Sequence, residues 1–264
     1  MSDVMLDPAW PDPPPEGFRH DAGDPDEAFP VPFSAFDALA MVIWTIVAQV
    51  IVVGIAIGMG VLSGDPDVDP IATTGLTVQI VAQVLTLLGM VVYLRGRGVL
   101  SWRILGPIRP RWSHVGIGMG LGVGGLILVL TLAEMTNRAF GPFDAPEQYA
   151  LEVANTSPLV MVLAVVSAVL LAPIVEEVVF RSLLFQSVRR KLGLVAAMVI
   201  SSLVFAYIHL EVVGNPPAVV GLVALVLWLA GAFHRSGSLV VPITAHATYN
   251  LVVLGLQAAI ETSS

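Results

Sequence analysis

Seven apolar stretches follow one another through this chain, and they leave it little choice of fold. They read as residues 35–62, 73–94, 115–136, 158–188, 194–210, 218–233 and 239–260. Most approach or exceed the roughly 20 residues needed to cross a bilayer as a helix; those at 194–210 and 218–233 are short. Hydrocarbon supplies no hydrogen-bond partners, so a backbone crossing it must satisfy its own N–H and C=O groups, which a helix does internally. The expected architecture is all-α, a polytopic transmembrane bundle of about seven spans. Composition agrees, because only 12% of the residues are charged against roughly 25% in soluble domains.

Residues 1–34 differ in kind. They are rich in Pro, Asp and Glu, as in Pro11-Asp12-Pro13-Pro14-Pro15-Glu16. Such a segment buries too little apolar surface to offset its ordering entropy and is expected to be a disordered acidic tail. It lacks the basic start and early apolar core of a signal peptide. Three regions follow: the tail (1–34), an N-terminal transmembrane region of three spans (35–157), and a C-terminal region of four spans (158–260), with a surface helix conceivable at 141–157.

Arg95, Arg97, Arg103, Arg109 and Arg111 lie between the second and third stretches, Arg189, Arg190 and Lys191 follow the fourth, and Arg235 follows the sixth. The alternate loops carry Asp65, Asp67, Asp144, Glu147 and Glu211, with Arg138 their sole basic residue. Basic loops face the cytoplasm, so the N-terminus is expected there, in the inner (plasma) membrane of a bacterium. The twelve basic residues form no long patch, which excludes nucleic acid as a partner. The absence of cysteine excludes thiolate nucleophiles and Cys-type zinc sites. Membrane lipids and a membrane-associated peptide or protein are the partners that remain. The glycines at 54–60 and 116–122 suit close helix contacts, and Gln79 and Gln83 suit interhelical hydrogen bonds.

Against this apolar background the run Ala172-Pro173-Ile174-Val175-Glu176-Glu177-Val178-Val179-Phe180-Arg181 is costly. Insertion scales charge roughly 2.5–3.5 kcal/mol for an Asp, Lys or Arg at a helix centre. Glu177 and Arg181 are four apart and pair along one helical face. Pro173 is expected to kink or break a helix otherwise longer than the bilayer, freeing carbonyls of the preceding turn. Two further polar elements interrupt later spans: Phe205–His209, and His246–Asn250, whose ends share a helical face. Counted at roughly 1.5 Å per residue from the nearest basic loop, Glu176, His209 and Asn250 come to roughly 20, 22 and 18 Å, and His246 to roughly 12 Å. Polar groups on three helices at similar depth point to one site.

These elements, Glu176-Glu177-x-x-x-Arg181, Phe205-x-x-x-His209 and His246-x-x-x-Asn250, occur in the order and spacing of the CPBP family. That family comprises CAAX proteases and bacteriocin-processing (Abi) membrane proteins, and the resemblance covers roughly residues 158–255. It implies an intramembrane endopeptidase acting on a membrane-bound or lipidated protein, similar to the type II CAAX prenyl endopeptidases. By the same resemblance Glu176 and His209 activate a water, His246 and Asn250 stabilise the oxyanion, and Glu177, Arg181 and Phe205 support them. A divalent metal such as zinc, held by Glu176, His209 and His246, is left open, because the family is described both as metallo-type and as glutamate-type.

Two other function classes use the same groups. One is a proton-coupled carrier, the other a non-catalytic bacteriocin-immunity or regulatory protein. No internal repeat relates the two halves, which counts against the commonest transporter plan. The intact set of Glu, His and Asn counts against a dead enzyme.

Overall fold

A computed structural model describes residues 33–59, 70–100, 102–106, 110–141, 143, 157–209 and 215–261. The tail up to residue 32, the acidic loops at 65–67 and 144–147, nearly all of the suggested surface helix at 141–157, and Glu211 lie outside the described residues.

Among the described residues six long helical elements and a short 3-10 turn at Trp102–Leu105 make up the fold, and no strand occurs. The six are α1 (Ala35–Gly58), α2 (Pro70–Gly96), α3 (Trp112–Phe140), α4 (Pro158–Ile208), α5 (Pro216–Ser236) and α6 (Val240–Glu261). The first five are long and apolar enough to cross a membrane, and the chain is a multi-pass integral membrane protein. The expected count of seven is approximate. At 51 residues α4 would be roughly 75 Å long if straight, more than twice the hydrocarbon thickness. It turns back at Gly193, whose φ of 80° and ψ of 177° are non-helical. A positive φ of this size favours glycine, which has no Cβ to clash. The stretches 158–188 and 194–210 are therefore two limbs of one hairpin.

The expected break at Pro173 is absent. The first limb instead changes its winding, with π-helix at Val165–Leu171, α-helix at Ala172–Glu177, and π-helix again at Val178–Phe185. Pro173 falls in the first turn of the central α-helical piece, where the chain stays helical through the proline.

The central part of this limb is the hub. α1 and α5 touch it along Val178–Phe185, and α2 and α6 along Val165–Glu177. The largest apolar cluster centres on Phe180, Leu183 and Phe185, with Phe205, Phe233 and Met41 among its buried members. Phe180 and Phe205 meet edge to face at 4.9 Å, which fixes the return limb alongside the first.

Glycines bring α3 onto α6. A Cβ on Gly118 would lie 2.7 Å from the Val241 carbonyl oxygen, and one on Gly122 would lie 2.5 Å from that of Ala245. The two helices therefore approach at backbone distance, as small residues permit in membranes. Gly116 and Gly120 face open space, and so do Gly54 and Gly58 of α1. The expectation of close contact at 54–60 is thus not met by Gly54 and Gly58. In that helix Trp44 does the packing, laid across Gly89 of α2, with its indole N–H 3.3 Å from the Thr86 carbonyl.

A polar clasp closes one end of the α1–α2 pair. Ser34 and Asp37 form a reciprocal N-terminal cap on α1, which satisfies donors that the first turn leaves unpaired. Buried Asp37 also accepts from the Tyr93 hydroxyl at 2.9 Å and from Arg97 Nε at 3.0 Å. The carboxylate in turn raises the Arg97 pKa through its hydrogen bond. Arg190 donates to the Phe33 carbonyl and Ser187 to that of Ser34, tying the start of α1 to α4.

Candidate active site

Glu176 and Glu177 are adjacent in sequence but unlike in setting. The Glu177 side chain is wholly buried, whereas that of Glu176 keeps 20% of its surface exposed. Two neighbours fix Glu177. Its Oε2 lies 3.0 Å from Arg181 Nε, one helical turn on, and its Oε1 lies 3.1 Å from His246 Nδ1 on α6. The contact with Arg181 is ionic without being a well-directed hydrogen bond, since neither Glu177 Oε2 nor Arg181 Nε has a hydrogen-bond partner by geometry. Arg181 is itself fully buried. It donates through Nη2 to the Val226 carbonyl at 3.3 Å and lies over the Phe205 ring, 5.3 Å from its centroid. An ion pair sealed this deeply lasts only where both charges have further partners.

His246 bridges the two acids. With Nδ1 on Glu177, its Nε2 points to Glu176 Oε2 at 3.8 Å. A carboxylate only accepts, so Glu177 takes a hydrogen from Nδ1–H, and Nε2 is the atom turned to the accessible carboxylate. The sequence-based expectation that Glu177 and Arg181 orient Glu176 is thereby refined, because the residue that Glu177 orients is His246.

His209 ends the return limb, one turn beyond Phe205. The two rings stack at 4.4 Å and 13°, and Phe205 lies 6.5 Å from the His246 ring. His209 Nδ1 is 2.8 Å from the Phe205 carbonyl. A carbonyl also only accepts, so Nδ1 carries the hydrogen and Nε2 holds a free lone pair. Phe205 is thus a platform between the histidines and a cover for Arg181.

Asn250 lies one turn beyond His246 on α6, and its Nδ2 donates to the Ala168 carbonyl at 2.6 Å. Its amide thus meets the backbone of α4. Glu176, Glu177, Arg181, Phe205, His209 and His246 are thus brought into one linked cluster, and Asn250 meets the same helix at its π-wound turn.

Glu176, His209 and His246 are the residues of the cluster that could hold a metal ion. Among the described residues no group of three or more His, Cys, Asp or Glu is arranged to hold a metal ion. One nitrogen of each histidine is already taken, by Glu177 and by the Phe205 carbonyl.

Several other polar residues within the spans have structural partners. Buried Gln83 accepts from Ser167 Oγ at 3.3 Å, the expected interhelical bond, which joins α2 to the π-wound turn. Glu134 pairs with Arg138 at 2.7 Å on an exposed face. His114 is buried and accepts from the Arg111 N–H at 3.3 Å, capping α3. The Asp37 clasp escaped sequence reasoning, although Ser34-x-x-Asp37 ahead of an apolar run is a recognisable capping signature.

Two carboxylates, a guanidinium and two imidazoles are thus enclosed in an apolar helical bundle. Residues 158–252 match the family model of the Rce1-like type II CAAX prenyl endopeptidases, a match consistent with the CPBP/CAAX proteases and confined to α4–α6. It supports a CAAX-type membrane endopeptidase in general terms, with lipid around it and a protein or peptide as substrate. No curated protein and no solved structure matches the chain.

Proposed function

We propose that the protein is an intramembrane endopeptidase of the glutamate type, hydrolysing a peptide bond of a membrane-bound or lipidated substrate, with its N-terminus in the cytoplasm. The observation that carries this reading is the linked series Glu176–His246–Glu177–Arg181, at 3.8, 3.1 and 3.0 Å, with Glu176 its most exposed member.

Glu176 takes a proton from a water whose second hydrogen is accepted by His209 Nε2. A carboxylate in a wet pocket with apolar walls suits this general-base step. The water oxygen attacks the scissile carbonyl, the C=O π pair moves onto oxygen, and a tetrahedral oxyanion forms. In its protonated form His246 donates from Nε2 to that oxyanion, and the second Nδ2 hydrogen of Asn250 is the companion donor. One such donor is worth roughly 2.7–4 kcal/mol of barrier. The proton held by Glu176 then passes to the leaving amine as the C–N bond breaks, which restores the site. Glu177 and Arg181 do no chemistry. They hold the His246 ring in one orientation and balance charge.

The test is cleavage of membrane-anchored peptides, prenylated and unprenylated, by the purified full chain in lipid vesicles. Loss of cleavage in Glu176→Gln and His209→Phe is expected. Proton flux without any cleavage would favour a carrier instead.

A further inference from the structure

Val165–Leu171 is wound as a π-helix, in which each N–H bonds to the carbonyl five residues back. Ala172 follows that rule, its N–H reaching the Ser167 carbonyl. The next donor in the series would belong to residue 173 and would serve the carbonyl of Ala168. Residue 173 is proline and has no N–H. Inside a membrane an unserved carbonyl is costly, because no lipid atom can donate to it. The group that does reach the Ala168 oxygen is Asn250 Nδ2, at 2.6 Å, from another helix.

We propose that Asn250 stands in for the missing N–H of Pro173, and that this bond fastens α6 to α4 beside the acid pair. The pairing is specific, since the carbonyl that the proline leaves open is the one that Asn250 serves. It also sets register. His246 meets Glu177 and Asn250 meets Ala168, so α6 is held to α4 at two points one turn apart. A slide along or a rotation about the α6 axis breaks both contacts. Asn250 is therefore a positioning residue for His246, whether or not its second amide hydrogen also reaches a substrate. Pro173 and Asn250 form one unit, in which the proline is tolerated because the asparagine is present.

A double-mutant cycle tests this, using the full chain in detergent and in lipid vesicles. Asn250→Ala in the natural background is expected to lower Tm by about 4 °C or more, as when a buried acceptor loses its donor in a chain of this size. Pro173→Ala restores an N–H at 173, so Asn250→Ala added to it is expected to cost less than half as much. Equal losses in both backgrounds overturn the proposal. The ring 15N resonances of His246 report its seating. They are expected to shift in Asn250→Ala and to return in the double variant, and a shift that persists in a double variant of recovered Tm refutes the positioning role. Cleavage rests on the function proposed above, where Asn250 also serves the oxyanion, so the positioning role is judged on Tm and the 15N resonances alone. A chain that cleaves nothing leaves the Tm and 15N arms intact, so failure of the two readings is distinguishable. Should Pro173→Ala not fold, Asn250→Asp is compared with Asn250→Leu. The carboxylate, which can only accept, is expected to be the more destabilising of the two against the Ala168 carbonyl. An Asp variant as stable as the Leu variant overturns the proposal.

Discussion

Replacing Arg181 by Leu, alone and with changes at Glu177, separates what the buried ion pair does for stability from what it does for His246. Arg181 and Glu177 are both fully buried and 3.0 Å apart. Removing the cation leaves a carboxylate sealed in a low-dielectric bundle with His246 as its remaining neighbour. Breaking one side of such a pair costs about 3–5 kcal/mol. At about 2–4 °C per kcal/mol for a chain of this size, Tm should fall by about 6–20 °C. Two double variants then diverge. In Glu177→Gln/Arg181→Leu the charge is gone, while the Gln carbonyl still accepts from His246 Nδ1. In Glu177→Leu/Arg181→Leu the charge is also gone, but His246 loses its acceptor. Both should regain most of the lost Tm, because replacing a buried pair by neutral groups is often close to neutral. Only the Gln variant should regain cleavage. Tm is read by scanning calorimetry in detergent, and cleavage by release of peptide at equal folded protein. The reasoning is refuted if the Leu/Leu variant cleaves as well as the Gln/Leu variant, or if neither double variant is more stable than Arg181→Leu.

Gly122→Val should reduce cleavage and lower Tm, since its Cβ would lie 2.5 Å from the Ala245 carbonyl oxygen and push away the helix that bears His246. Gly120→Ala, with open space around it, should leave both unchanged within about 0.5 kcal/mol. His209→Phe keeps a flat ring on Phe205 but loses the free Nε2, so cleavage per folded molecule should fall by at least about tenfold. Asp37→Ala strips the α1–α2 clasp and should cost about 1–3 kcal/mol, with cleavage per folded molecule unaffected. Since the site's donors do not gather around one point, cleavage should withstand a strong divalent-metal chelator; loss on chelation, restored by one metal, would show the metallo-type reading to be right.

Much of this was legible in the sequence because the bilayer is a demanding solvent. It permits few structures, and apolar runs near 20 residues announce the helices. The spacing of four between Glu177 and Arg181 announced their pairing for the same reason, since a lone buried charge is untenable in lipid. The run Arg189-Arg190-Lys191 ahead of Gly193 marked where the α4 hairpin turns. What escaped depends on winding and rotation. Nothing in Val165–Leu171 signals a π-helix, so Pro173 looked like a breaker when it is absorbed. Equal depth for Glu176, His209 and Asn250 did not say which way each side chain points, and His246, counted as shallower, proved to be the residue touching both acids. The α3–α6 contact was half visible: glycines at 118 and 122 pack, while those at 116, 120, 54 and 58 do not, a distinction set by helix rotation alone.

The central claim is that two adjacent carboxylates have different tasks, Glu176 as the base and Glu177 as the holder of His246. The most direct measurement is kcat for Glu176→Gln and Glu177→Gln on one membrane-anchored peptide, per folded molecule. Glu176→Gln should lose at least about a hundredfold, as expected for removal of a general base. Glu177→Gln keeps an acceptor for His246 Nδ1 and should retain most of its rate. Equal losses in the two variants, or a faster Glu176→Gln, would contradict the account.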